Sequence, residues 1–506
     1  MSNFSILDGS IVGIYLIGCM VAGIMARRYV SRVDQFLVAG REMNLYLGIA
    51  SLAATEFGIA TCMYSAELGF KYGFSGATPG VMMCLSMLFV GYTGFCIKPL
   101  RDAGVITVPE FFQTQFGSKV RWMSGLVIVL GGLLNMGVFL RVGGEFLIAV
   151  CGFNPDHLEI MMTVLLLGVA AYTILGGMVS ILITDYLQFI VMSIGLIAVT
   201  ILVFCNVGWN NMVSAIETRH GPGGFNPFIH DELGWQYVVF YGTLATSGVI
   251  TWQTIVQRVL AAKDSKTGQA IYRGTSFFFV CRYLIPGLWG IAALAALDSE
   301  LVSQLLVDPT NARLAMPTFL RDFLPVGMMG IVIAAMLAAD MSSDSAYMLS
   351  WGSVIYNDIL APFHKNKWSQ KRGLLWNRMI VASIGVFLLL YGLWYPLKDN
   401  IMDYLAITGS IYLSSMSVLL IAGCYWRRSN NWGAAAAICV GAIMPVSYLV
   451  ADVLTQFETV NQFATRDIGL YLWGILTYIA AAAAMVIGSL LKISLGFENE
   501  SEASDV

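Results

Sequence analysis

The residues of this chain best able to do chemistry sit where its sequence is otherwise apolar. Residues 338–345 read Ala-Ala-Asp-Met-Ser-Ser-Asp-Ser inside a long hydrophobic run. A carboxylate halfway along an apolar helix is expensive in lipid, so Asp340 and Asp344 must face a cavity or a partner. Ser342 and Ser343 present adjacent hydroxyls, and Ala339, about one turn earlier, adds a carbonyl if the helix opens there. Neutral hydroxyls and carbonyls suit sodium, a hard cation that takes several oxygen ligands. Alone the Ser-Ser pair is weak evidence, because helical serines usually bond back to the preceding turn.

Two further stretches break the apolar pattern. Residues 53–61 read Ala-Ala-Thr-Glu-Phe-Gly-Ile-Ala-Thr, and residues 242–251 read Gly-Thr-Leu-Ala-Thr-Ser-Gly-Val-Ile-Thr. Both are small, polar and glycine-interrupted where a lipid-facing helix would be rich in leucine. Paired interruptions of this kind point to an inverted repeat whose broken helices expose carbonyls and dipole ends to an ion and a solute. The plainer alternative is close helix packing through small residues.

The elements that must position these groups follow from composition. Of 506 residues 58% are hydrophobic and 12% charged, with a mean hydropathy of +0.74. A water-soluble domain cannot hide so much apolar surface, so lipid is expected to cover the outside. A net charge of −3 suggests no nucleic-acid partner. The nine cysteines lie in or beside apolar runs without a CxxC pair, and the four histidines (His157, His220, His230, His364) lack metal-ligand spacing. No cofactor and no enzymatic constellation is indicated.

Thirteen apolar stretches are long enough to span, near residues 6–26, 44–70, 77–100, 122–150, 157–177, 178–205, 235–260, 274–297, 326–352, 376–396, 401–425, 432–455 and 468–491. The fifth and sixth meet at Gly176–Gly177, which predicts a very tight turn. The first lacks a basic leader and is followed by Arg27, Arg28 and Arg32, so it reads as a retained helix and not a signal peptide. The acidic tail 497–506 is expected to be disordered. Twenty of the 28 basic residues fall in loops on one side, among them Lys365, Lys367, Arg258 and Lys263. Six fall on the other, including Lys398 and Arg466, while Arg141 and Arg282 lie within spans. This imbalance places the N-terminus outside and the C-terminus in the cytoplasm of a plasma-membrane protein. Arg258 and Lys263 fit that bias; a role at an inner gate is the sharper alternative. Glu110, after Pro109, reads as a structural helix start, and Asp403 as the solvated end of a span.

Several ordered segments resemble the sodium:solute symporter family: Phe36-Leu37-Val38-Ala39-Gly40-Arg41, Thr107-Val108-Pro109-Glu110-Phe111, Tyr172-Thr173-Ile174-Leu175-Gly176-Gly177 leading to Thr184-Asp185, Gln257-Arg258-Val259-Leu260-Ala261-Ala262-Lys263-Asp264, and Ala339 to Ser343. Each piece alone is common, but their joint order over about residues 8–425 is specific. The resemblance implies an all-α polytopic protein, one integral membrane transporter domain over 1–506. Its core would be a LeuT-type five-plus-five inverted repeat across about 44–425, with one extra helix at 6–26 and peripheral helices at 432–455 and 468–491. Its shared sodium site would use carbonyls of Ala54 and Phe57 with Ala339, Ser342 and Ser343. The arrangement that holds a second sodium in some members matches Asp185, Ser342 and Ser345, with Ala346 where those members often carry another serine.

The solute would sit beside Glu56 and Thr55, between the broken helices. Glu56 has three readings: a buried carboxylate paired with Arg141, which lies alongside Glu145; an ionised group that meets a substrate ammonium; or a carboxyl that protonates and couples transport to protons. Trp252 and Gln253 resemble the segment of the family's choline transporters in which a tryptophan cages an ammonium, although a Trp near a helix end is also an ordinary interface anchor. Arg141 allows the opposite case, a carboxylate clamped by a guanidinium. The expected function is sodium-coupled import of a small organic solute, with an amine- or amino-acid-like substrate. The alternatives are a proton-coupled transporter or a transport-deficient sensor of the same fold using Glu56. The partners expected are the solute, sodium and the lipid bilayer.

Overall fold

Lipid cannot hydrogen-bond a bare backbone, so a chain this apolar has to satisfy its amides and carbonyls within helices. The computed structural model describes residues 4–307, 311–363, 369–395, 400–453 and 468–496, and no strand occurs among them. The tail 497–506, His364, Lys365, Lys367, Lys398, Arg466 and the end of the stretch 432–455 lie outside the described residues.

The expected spans are all helical. They are α1 (Ile6–Ala26), the pair α2 (Leu45–Thr55) and α3 (Ile59–Tyr72), α4 (Thr78–Thr93), and the pair α5 (Ser118–Met136) and α6 (Phe139–Cys151). Then come α7 (Leu158–Asn206), the pair α8 (Gly234–Thr251) and α9 (Gln253–Ala261), and α10 (Ser265–Ala296). The chain continues through α11 (Met328–Val354), α12 (Gln370–Trp394), α13 (Ile401–Tyr425), α14 (Asn431–Val453) and α15 (Gly469–Ser494). Ten continuous stretches are long and apolar enough to cross a membrane. The number is below thirteen because two crossings run together in α7 and the interrupted spans are split at their breaks.

The tight turn expected between the fifth and sixth spans is a single residue. Gly177 has φ 51° and ψ −144°, a backbone conformation that L side chains rarely adopt. The two arms of α7 that it joins fold onto the same neighbour, since Gly23 of α1 packs against both Tyr172 and Thr184. A Cβ at Gly177 would meet the ring and the carbonyl oxygen of Phe36 at 2.6 Å.

α11 is buried along nearly its whole length, against α7, α1 and the helices around the first break. Its start is held from outside the helix. The carboxylate of Asp8 in α1 accepts the amides of Gly327 and Gly330 at 2.8 and 2.7 Å, which satisfies donors that the first turn leaves bare. Its other end widens into a π turn, Ile355–Leu360, which brings Asp358 to 2.8 Å from Arg121 of α5. Glu110 joins this corner, where Oε2 accepts the amide of Ile106 at 2.7 Å and the side chain of Asn357 at 3.2 Å.

Replacing Gly177 by Ala should therefore cost about 1–3 kcal/mol for the backbone alone, with about 1–3 kcal/mol more for the overlap with Phe36. Thermal unfolding in detergent should show a clear loss, whereas Gly13→Ala on α1, where a Cβ meets nothing within 4 Å, should leave the midpoint unchanged.

Candidate functional site

Two of the described spans are interrupted by non-helical backbone, whereas the α5–α6 junction keeps helical angles at Gly137 and Val138. α2 ends at Thr55, the chain runs non-helically through Glu56, Phe57 and Gly58, and α3 begins at Ile59. The second break is one residue, Trp252, extended at φ −63° and ψ 113° between α8 and α9. It lies just after the small-residue stretch 242–251, which stays helical. Gly248 has open space where a side chain would be, on the face that lines the cavity.

Between the breaks lies a cavity of about 120 Å³ lined by α3, α8, α10, α11 and α13 among others. Glu56, Tyr64, Trp252, Arg282, Tyr283 and Tyr347 give it its polar and aromatic lining. Glu56 is 4% exposed, and both its oxygens accept hydrogen bonds: Oε1 from the Thr254 hydroxyl at 2.9 Å and Oε2 from the Arg282 guanidinium at 3.3 Å. The indole of Trp252 donates to the Tyr347 hydroxyl at 3.1 Å and stacks on Tyr412 at 5.5 Å between centroids.

The partner of Glu56 is thus Arg282 and not Arg141, which corrects the expected pairing. Phe139 of α6 lines the cavity, and Arg141, two residues on, lies well round the helix from it. There it donates to the carbonyl of Gly392 at 3.0 Å and lies 3.7 Å from Glu145. Gln253 also lies off the cavity, fully buried, with its carbonyl oxygen accepting the Val108 amide at 3.4 Å. Sequence reasoning passed over Arg282, although an arginine inside a span is itself the signal.

Beneath the first break the helices converge. The hydroxyl of Ser343 donates to the carbonyl oxygen of Thr55 at 2.7 Å, directly bridging α11 to the end of α2. Gly58 permits the approach, since a Cβ there would lie 2.8 Å from the Ser343 oxygen. Ala54 is adjacent, its carbonyl accepting the amide of Phe57 at 3.2 Å. Hard neutral oxygens of α11 and of the break therefore already meet, a donor set that fits sodium. α11 itself runs unbroken, so the opening expected at Ala339 is not present.

Asp185 of α7 lies alongside, fully buried, and is the hub of a separate network. It accepts from Ser51 at 2.5 Å and from Ser342 at 2.6 Å, and it pairs with Arg258 of α9 at 3.4 Å. Arg258 is also fully buried and donates to the Thr55 hydroxyl at 2.6 Å. Counting Arg258 with the inner loops was therefore incorrect: it reaches back between the broken helices. Thr55 directs its hydroxyl to Arg258 and does not line the cavity. The Arg258 guanidinium lies 3.4 Å from Asp185, and the Ser345 hydroxyl donates to the Ser342 carbonyl at 3.1 Å. Asp340 and Asp344 do not line the cavity. Oδ2 of Asp340, which faces Gly143, and both oxygens of Asp344 have no hydrogen-bond partner among the described residues.

A buried pair broken from one side leaves an uncompensated charge, at a cost of about 3–5 kcal/mol. Asp185→Ala should lose about that much stability in detergent unfolding, and the double variant with Arg258→Ala should recover most of it.

Comparison with known proteins agrees with this architecture. The chain is 26% identical to sodium/glucose cotransporter 4 of Danio rerio, over 88% of this chain and 72% of that protein. It is 26% identical to the osmoregulated proline transporter OpuE of Bacillus subtilis (strain 168), over 85% of this chain and 86% of that one. Its fold is similar to that of a sodium-coupled sialic acid symporter in a substrate-bound outward-open state, with a TM-score of 0.80 at 17% identity, covering 96% of this chain and 98% of the other. The pattern of the sodium:solute symporter family matches residues 36–441. An all-α fold with interrupted helices around an aromatic cavity, matched to that pattern over most of its length, makes this chain a member of the sodium:solute symporter family, a sodium-coupled symporter of small solutes.

Proposed function

We propose that one sodium ion binds beneath the first break, held by the hydroxyls of Ser342 and Ser343 with carbonyls of Ala54 and Phe57, that α11 opens at Ala339 as the ion binds and adds that carbonyl, and that the solute binds above it in the cavity beside Glu56 and Trp252. The observation that carries this reading is the Ser343 hydroxyl lying 2.7 Å from the Thr55 carbonyl. An ion at that junction draws α11 and the broken helix together, and the same break presents Glu56 to the cavity. The two ligands then raise each other's affinity, which is what couples their movement.

A single ion is favoured because the guanidinium of Arg258 already supplies the positive charge beside Asp185. A second cation there would meet like charge in a low-dielectric interior. Glu56 and the indole of Trp252 suit a solute with an amine end, through charge and through cation–π attraction.

The basic-residue bias supports an N-terminus outside and a C-terminus in the cytoplasm, in the plasma membrane and in contact with its lipid. In that orientation Tyr64, Leu244 and Met402 place the cavity in the outer half of the molecule, an arrangement suited to loading from outside. A single transporter domain over 1–506 fits the close packing of α14 and α15 on each other and on α13.

Sodium-driven uptake into proteoliposomes tests the ion site. Ser342→Ala/Ser343→Ala should raise the sodium concentration for half-maximal uptake at least tenfold, equivalent to about 1.4 kcal/mol of lost binding. Unchanged sodium dependence would remove these residues from the site.

A further inference from the structure

The cavity holds a charge pair whose members are incompletely satisfied by each other. Arg282 of α10 is 7% exposed, with its guanidinium over the rings of Phe279 and Tyr283 at 5.0 and 5.4 Å. It donates to the Tyr64 hydroxyl at 3.0 Å and to Glu56 at 3.3 Å. That second contact is one-pronged and longer than the about 2.7–2.9 Å of a strong charge-assisted bond. Nε is buried and has no hydrogen-bond partner among the described residues, although a guanidinium's planar edge is built to grip a carboxylate with two parallel bonds. Glu56 and Arg282 are the charged residues lining the cavity.

We infer that Arg282 recognises a carboxylate on the solute while Glu56 takes its amine, so that the cavity selects a small zwitterion of the amino-acid type. This rests on the reading of the cavity as the solute site. The sum of charges decides between solute classes. A lone cation drawn to Glu56 lies beside Arg282, and a lone anion on Arg282 lies beside Glu56. Each leaves the water-poor cavity with an unbalanced charge and one repulsive neighbour. A zwitterion enters with no net charge, parts a weak pair and replaces one attraction with two. The break at Glu56 gives that carboxylate a non-helical backbone on which to shift. The volume, about 120 Å³, equals that of about four waters at roughly 30 Å³ each, the scale of a small amino acid.

The full-length protein in proteoliposomes, driven by a sodium gradient, is offered small amino acids, their amides, the matching acids without the amine, and hexoses. The zwitterions should enter, and removal of either charge should lower uptake at least tenfold. Arg282→Gln should abolish the preference of zwitterion over amide, Arg282→Lys should keep part of it, and Arg282→Gln/Glu56→Gln, which leaves no unpaired charge, should also fail to discriminate. A sodium-induced rise in unfolding temperature, recorded without solute, certifies that each variant is folded and still binds the ion. Uptake of hexoses or amides at or above the zwitterions, or an unchanged preference in a folded Arg282→Gln variant, overturns this inference and leaves the symporter intact. Absence of both sodium-driven uptake and the sodium-induced rise in the unaltered protein overturns the site reading beneath it, and the inference with it.

Discussion

A helix that stops inside a bilayer strands amides and carbonyls that no solvent can reach. The arrangement of this protein follows from how those groups are answered. At the first break, turn bonds return the amides of Glu56 and Phe57 to the carbonyls of Leu52 and Ala54, while the carbonyl of Thr55 takes the Ser343 hydroxyl from a different helix. At the second, one extended residue lets α9 depart from the line of α8 and carries Thr254 to Glu56 and Arg258 to Asp185. Each interruption is completed by groups from elsewhere in the fold, so moving one helix changes the surroundings of the other.

Two ion pairs flank this junction and have different surroundings. Asp185 and Arg258 are closed off from solvent and further satisfied by Ser51, Ser342 and Thr55. Such a network is costly to open and holds four helices in register. Glu56 and Arg282 lie in a cavity, at a longer single contact and with a donor unused. The first is closed off on every side, whereas both members of the second line the cavity. Asp340 and Asp344, buried on α11, belong to neither network.

Much of this was legible in the chain because each signal was local. The spans followed from runs of apolar residues, the hairpin in α7 from Gly176–Gly177, and the first break from Thr55-Glu56-Phe57-Gly58 within a helix of the right length. The second break was misplaced by a few residues, since Leu244, Ala245 and Gly248 line a cavity within an intact helix while Trp252, a bulky residue with no propensity to end a helix, carries the interruption. Arg141 and Arg282 are equivalent in sequence terms, each an arginine inside a span. Helical phase separates them: Arg141 turns away with Glu145 toward Gly392, and Arg282 turns toward Tyr64 and Glu56.

By itself the sequence determined the class of environment and the family. Hydropathy, the distribution of basic side chains and the order of short motifs are properties of the chain, and lipid allows them few solutions. Only the tertiary structure decided which charges meet. Partners such as Asp185 and Arg258, or Glu56 and Arg282, are separated by 73 and 226 positions. Their meeting depends on how four or five helices rotate and tilt against one another. A rotation of one residue about a helix axis, about 100°, would have exchanged the roles of neighbours that composition cannot tell apart.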